Sequence, residues 1–195
     1  MRIPIFPLNT VLFPGGPLPL RIFESRYIDM VSGCMKSDSP FGVLLIKDGH
    51  EAGPASTYDV GTLATITDFY QGSDGLLGVT ALGGQRFRLV SNERQHDGLN
   101  IGEVELIEPE APLPLPEEFL ALPDMLGNVL DDLGRLYELQ DRHYQDAVWV
   151  GYRFLEILPI DLQQKQLSLE SSDTAARLQL VDELLDSVRG TVGEQ

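Results

Sequence analysis

Residues 3–27 read IPIFPLNTVLFPGGPLPLRIFESRY, and the reading of this stretch decides the fold. It holds four separated apolar clusters, prolines at 4, 7, 14, 17 and 19, and the pair Gly15-Gly16. A proline inside a helix removes a backbone donor and costs about 3 kcal/mol, whereas strand edges and turns tolerate it. Short extended pieces joined by a Pro14-Gly15-Gly16 turn are therefore expected. Directly afterwards, RYIDMVSGCMKS spaces Tyr27, Met30, Val31, Cys34 and Met35 as one helical stripe. The expected order is strand, turn, strand and packed helix.

Beyond this start the pattern stays that of strands. Ser37-Asp38-Ser39-Pro40 stops the helix, because a residue before proline is pushed out of the helical region. Phe41 to Lys47 reads as a buried strand ending at Asp48-Gly49, and His50 to Asp59 as a surface loop. Gly61 to Tyr70 alternates as a strand, and Gly72-Ser73-Asp74-Gly75 forms a hairpin turn from which Leu76 to Leu82 pairs back. Gly83-Gly84 marks a bend before Arg86 to Val90. A loop from Ser91 to Asn100 leads to a last strand, Ile101 to Ile107, with Val104 facing in and Glu103 and Glu105 facing out.

The organisation changes at EPEAPLPLP, residues 108–116, whose prolines make a stiff connection. We expect an α+β chain with a β-rich subdomain over 1–108, a Pro-rich connection over 109–116 and a helical subdomain over 117–190. Leu122, Leu126, Val129, Leu130, Leu133 and Tyr137 fall on one side of a helix that admits Pro123 in its first turn. From about residue 144 to Leu158 the run is apolar nearly all round, the pattern of a helix enclosed by others, and Pro159 ends it. Asp161 to Leu169 makes a short helix. Ser171-Ser172-Asp173 caps the last one, whose stripe is Ala176, Leu180, Val181, Leu184, Leu185 and Val188, and residues 191–195 are expected to fray.

At 195 residues the chain can bury about 70% of its unfolded surface. Cys34 is the only cysteine, so no disulfide closes within the chain and a reducing, cytoplasmic setting is expected. The start MRIPIFPLNT has no long apolar segment with a small-residue cleavage site, and no uninterrupted apolar run reaches the length of a membrane span. The net charge of −16 is uneven. Residues 1–100 carry eight Lys or Arg against ten Asp or Glu, and residues 101–195 six against twenty. Clustered cations are what nucleic acids and anionic membranes need, so the acidic half argues against both as partners. The densest basic cluster, Gln85-Arg86-Phe87-Arg88, reads as the solvated face of a strand.

Signals of chemistry are sparse. His50, His96 and His143 are isolated from one another and from any C-x-x-C, so no metal site is expected. Asp131-Asp132 and Glu117-Glu118 are adjacent pairs, which do not face the same way on a helix. No G-x-S-x-G elbow occurs, Cys34 belongs to an apolar stripe, and Trp149 reads as core. No catalytic residue and no cofactor is assigned.

The residues do resemble a known family, the N-terminal substrate-recognition domain of Lon ATP-dependent proteases, with its stand-alone bacterial versions and the related domain of cereblon. The resemblance is carried by IPIFPLNTVLFPGGPLPLRIFESRYIDMV, DVGTLATITDFY, GVTALGGQRFRLV, LPIDLQQKQLSLES and ARLQLVDELL, in an order that spans residues 1 to about 187. It implies a bent β pseudo-barrel of PUA-like type followed by an α-helical bundle. It also implies a non-enzymatic module that binds unfolded segments or a partner protein. ATP hydrolysis and proteolysis do not carry over, because no G-x-x-x-x-G-K-[ST] loop occurs in the sequence. Pro14 and the segment Phe23, Glu24, Arg26 and Tyr27 match the family pattern. With Phe13, Phe69 and Tyr70 they are the expected substrate-binding residues, bordering an apolar groove between barrel and bundle; Glu24 and Arg26 could equally tie strand to helix. A small-molecule or RNA-related PUA-like module, or an adaptor to a separate ATP-dependent protease, stands beside this reading.

Overall fold

The computed structural model describes residues 1–51, 53, 55–72, 75–138 and 141–192, with side chains described to residue 188. The chain divides into two compact units, Met1–Pro109 and Glu110–Gln195. The first carries strands β1 (Arg2–Leu8), β2 (Pro17–Ile22), β3 (Phe41–Gly49), β4 (Ala55–Thr57), β5 (Val60–Gln71), β6 (Leu77–Arg94) and β7 (Asn100–Leu106), with helix α1 (Ser25–Ser37). Sheet order is β1-β7-β6-β5-β3-β4, and β1 also runs parallel to β3, so five strands close on themselves. Strand β2 lies off this ring, paired to β6 alone among the described strands.

The opening prolines sit where the ladders need no donor. Met1 and Val104 exchange hydrogen bonds of 2.8 Å in both directions, which makes Ile3 and Ile5 the residues that bond to β7. Pro4 turns the other way, one residue before pairing with β3 begins at Ile5. Pro7 points toward β7 beyond the start of that strand at Asn100. In β2, Gly83 donates to the Gly16 carbonyl at 2.8 Å, so Leu18, Leu20 and Ile22 share the bonded parity and Pro17 and Pro19 face away from β6. An outer edge with two prolines has lost two of the N–H groups that another strand would use.

Gly83 itself cannot be replaced cheaply. A Cβ there would meet the Phe13 carbonyl oxygen at 2.3 Å, whereas at Gly84 the nearest atom is 3.6 Å away. The expected bend is a bulge: Thr62 pairs with Arg86 and Ala64 with Gly83, so β6 advances one residue more than β5. We expect Gly83→Ala to lower stability by about 2 kcal/mol and Gly84→Ala by a few tenths, read from thermal unfolding of the two variants.

Two expectations for the strands need correction. The stretch read as a loop over 50–59 contains β4, which pairs with β3. Strand β6 continues to Arg94 instead of ending at Val90, because its far end keeps pairing with β7. In the β5–β6 turn, Gly75 N donates to the Gly72 carbonyl at 2.9 Å, and Ser73 and Asp74 lie outside the described residues, as do residues 193–195. Helix α1 buries Tyr27, Met30, Val31 and Cys34 against Phe6, Leu20, Phe41 and Val79, while Met35 is 43% exposed. Burial pushes the Cys34 thiol pKa up, which keeps it a protonated core group.

The second unit holds a 3-10 turn (Glu117–Phe119) and helices α2 (Leu122–Leu133), α3 (Arg135–Glu138), α4 (Ala147–Ile157), α5 (Leu162–Glu170) and α6 (Thr174–Val192). The single helix expected through Tyr137 breaks at Gly134, whose φ is 61°; Leu133 is exposed as a result and Tyr137 buried. Helix α4 is buried at every position from Ala147 to Leu155 and packs against α2, α5 and α6. It starts at Ala147 because the Asp146 carboxylate caps it, accepting from Val148 N at 3.0 Å. Its apolar pattern hides an ion pair: Arg153 is fully buried and reaches Glu156 at 3.0 Å. On α6 the buried stripe runs through Thr174, Arg177, Leu178 and Val181, and Ala176 is exposed. Residues of the Pro-rich connection belong to this unit, since Glu110 binds Arg177 and Leu113 N donates to Asp146.

Candidate functional site

The free side of β2 borders an opening. The end of β1, the strand β2 and the start of α1 enclose a cavity of about 570 Å³, within the range of small-ligand sites. None of its walls comes from β6, which places it on the outer edge of β2, where Pro17 and Pro19 present no N–H and Arg21 keeps one. Its floor is apolar and buried, formed by Phe6, Leu8, Leu18, Leu20, Ile22 and Tyr27. Phe23, 65% exposed, stands at its rim with Asn9, Thr10, Glu24 and Glu51.

A polar knot holds one end of this seam. Arg26, 7% exposed, pairs with Glu24 at 2.7 Å and donates to the carbonyls of Gly98 at 2.8 Å and Glu51 at 3.2 Å. Its guanidinium also lies 4.7 Å from the centre of the Tyr27 ring, and that ring stacks on Phe6 with centroids 3.9 Å apart. One arginine thus fastens α1, the β3–β4 connection and the β6–β7 hairpin. Burial raises the Tyr27 phenol pKa, so it stays a neutral part of the floor. Glu51 closes the other side by accepting from Asn9 N at 2.8 Å.

The eight residues singled out from sequence are distributed over distinct places in the first unit. Phe23, Glu24 and Tyr27 line the seam cavity, and Arg26 positions its end. Phe13 is fully buried and offers no surface, and Pro14, half-buried, leads into the turn where Gly16 N donates to the Phe13 carbonyl at 3.0 Å. Phe69, 59% exposed, lines a separate groove of about 200 Å³ beside Cys34 and Met35 at the end of α1. Tyr70 pairs across the sheet with Gly78, where a Cβ would meet its ring at 2.4 Å, so it covers that glycine. The aromatics therefore do not converge on one surface. Sequence reading missed Phe6, Asn9 and Glu51; only the prolines at the strand edge signal where the seam opens.

Among the described residues, no group of three His, Cys, Asp or Glu is placed to hold a metal, and no helix is long and apolar enough to cross a membrane.

Comparison with known proteins gives a consistent picture. Residues 2–187 match the family model of the ATP-dependent protease La (LON) substrate-binding domain. Lon protease 2 of Myxococcus xanthus is 26% identical over 195 residues, covering 96% of this chain and 24% of that protein. Protein cereblon of Xenopus tropicalis is 31% identical over 133 residues, 66% of this chain and 29% of that protein. The chain thus spans about a quarter of the length of these relatives. Among solved structures, a Lon N-terminal domain protein from Xanthomonas campestris superposes with a TM-score of 0.76 at 35% identity, covering 93% of this chain and 96% of that one. The N-terminal domain of a Mycobacterium avium complex Lon protease shares the fold at a TM-score of 0.62 and 17% identity.

Proposed function

Because the chain belongs to the family of Lon substrate-binding domains, we propose that its first unit captures extended segments of other proteins at the seam beside β2, without catalysing a reaction. The observation that carries this is the open cavity with a buried apolar floor and an exposed Phe23 at its rim. Burial of one large apolar side chain contributes about 1.5–3 kcal/mol, so a segment filling the cavity with one or two binds weakly. Recognition works through side chains. Strand addition along β2 is opposed by Pro17 and Pro19, which supply no N–H to a ladder. The net charge of −16 steers basic segments toward the chain and polyanions away from it.

The closed strand ring and the enclosed α4 favour, within the same proposal, a PUA-like barrel followed by a helical bundle, and the single cysteine, Cys34, suits a reducing, cytoplasmic setting. The division at residues 109–116 and a separate role for Phe69 stay with it as proposals. A second reading is that the chain serves as an adaptor for a separately encoded ATP-dependent protease; the relatives named Lon protease, of which it spans about a quarter, favour that. The test is fluorescence anisotropy of a labelled, permanently unfolded protein titrated with this chain at low and moderate salt. Saturable binding between about tens of micromolar and millimolar, weaker at the higher salt, is expected. Flat traces at both salts overturn the capture function.

A further inference from the structure

Two carboxylates stand in the wall of the seam cavity. Glu24 and Glu51 line it, and Pro19 on the β2 edge has no N–H to present. The two carboxylates differ in what already binds them. Glu24 is matched by Arg26 at 2.7 Å. Glu51 is exposed, its Oε1 accepts from Asn9 N at 2.8 Å, and no lysine or arginine among the described residues pairs with its carboxylate. Arg21 also borders the cavity, on the exposed face of β2 that it shares with Pro19, and no ion pair joins it to Glu51 among the described residues. What fits an apolar channel ending in an unmatched carboxylate is a long apolar stem with a head that only donates. Lysine and arginine side chains have that form.

We propose that the seam cavity anchors a lysine or arginine side chain of an otherwise apolar segment, with its stem on Phe6 and Leu20 and its cationic head at Glu51. This rests on the capture function proposed above, and it names the residue class that capture selects. A chain of net charge −16 also concentrates such segments around it.

The test uses three peptides, acetylated and amidated so that no terminal charge competes. Each is apolar around a central position occupied by lysine, norleucine or glutamate. The lysine peptide is expected to bind about tenfold more tightly than the norleucine peptide, the worth of one charge-assisted hydrogen bond. Glu51→Gln keeps an oxygen for Asn9 N and is expected to bring the two within about twofold. Equal affinity for lysine and norleucine, or a lysine preference that survives Glu51→Gln, overturns the proposal while leaving segment capture standing. Binding of unfolded protein with no binding of any peptide does the same. If neither peptides nor unfolded protein bind, both the anchor and the capture function fall.

Discussion

Replacing Arg177 by methionine is expected to destabilise the second unit by about 3–5 kcal/mol, because it strands a buried carboxylate. Arg177 holds Glu110 through two bonds, Nη2 to Oε1 at 2.9 Å and Nη1 to Oε2 at 3.0 Å, and the Glu110 side chain is only 9% exposed. Tyr152 donates to the same carboxylate at 2.5 Å and Thr174 at 2.8 Å, while the guanidinium lies 3.9 Å from the Tyr152 ring centre. Arg177→Lys is expected to recover little, since one ammonium cannot make the paired contact. Trp149, the one tryptophan and a residue of α4, reports unfolding of this unit in denaturant titrations. A loss below about 1 kcal/mol contradicts the prediction.

The same site gives a pH dependence. Burial pushes the Glu110 pKa up, but hydrogen bonds from Arg177 and Tyr152 and the Arg177 charge outweigh burial, and the carboxyl sits below its ordinary value. A depressed folded-state pKa contributes stability that is fully present above the unfolded value, about 4.3, and is lost as pH falls through the folded one. In Arg177→Met the carboxyl has no cation and takes up its proton more readily. The stability gap between wild type and variant is therefore expected to narrow as pH falls toward and through the ordinary carboxyl range, beginning above it because burial alone raises the variant's carboxyl. A gap that widens on acidification contradicts this.

Replacing Arg26 by methionine carries the second large effect, about 2–3 kcal/mol in the first unit. It is smaller than at Arg177 because Glu24, with a side chain 24% exposed, can be partly rehydrated. The loss falls on what Arg26 fastens, the hairpin tip at Gly98 and the connection at Glu51. The amides of Gln95 and Gly98, bonded across that tip at 2.8 and 2.9 Å, are expected to exchange about 30- to 150-fold faster. Arg26→Lys is expected to rescue only part, because an ammonium lacks the fork that reaches both carbonyls. Unchanged exchange at these two amides would show that the hairpin is held by its strands alone.

The opening stretch was legible because proline and glycine act locally: their missing donors and permitted backbone angles place strands, edges and turn without knowledge of partners. Helix α1 was legible for a similar reason, its buried Tyr27, Met30, Val31 and Cys34 falling at one spacing. Long-range pairing was not. Strand β4 owes its conformation to β3, and the far end of β6 to β7, so a polar, glycine-rich stretch read as loop became ladder. Charged core residues were invisible for the opposite reason. Arg153 and Arg177 look like surface residues until Glu156 and Glu110 are brought beside them, the latter from 67 positions away. At the site, aromatic identity predicted exposure poorly: Phe13 is buried in the core while Phe23 is out at the rim, a difference set by strand parity and turn geometry.

Where a captured segment sits is the question that decides between a working seam and a merely open one. Cys34 is the only cysteine and is buried, so a single environment-sensitive fluorophore can be placed by Asn9→Cys at the cavity mouth, with Glu105→Cys on exposed β7 surface as control. Titration of both labelled proteins with an unfolded protein is predicted to give a saturable emission shift at position 9 and none at position 105. Equal shifts at both positions, or binding by anisotropy with no shift at position 9, would contradict capture at the seam.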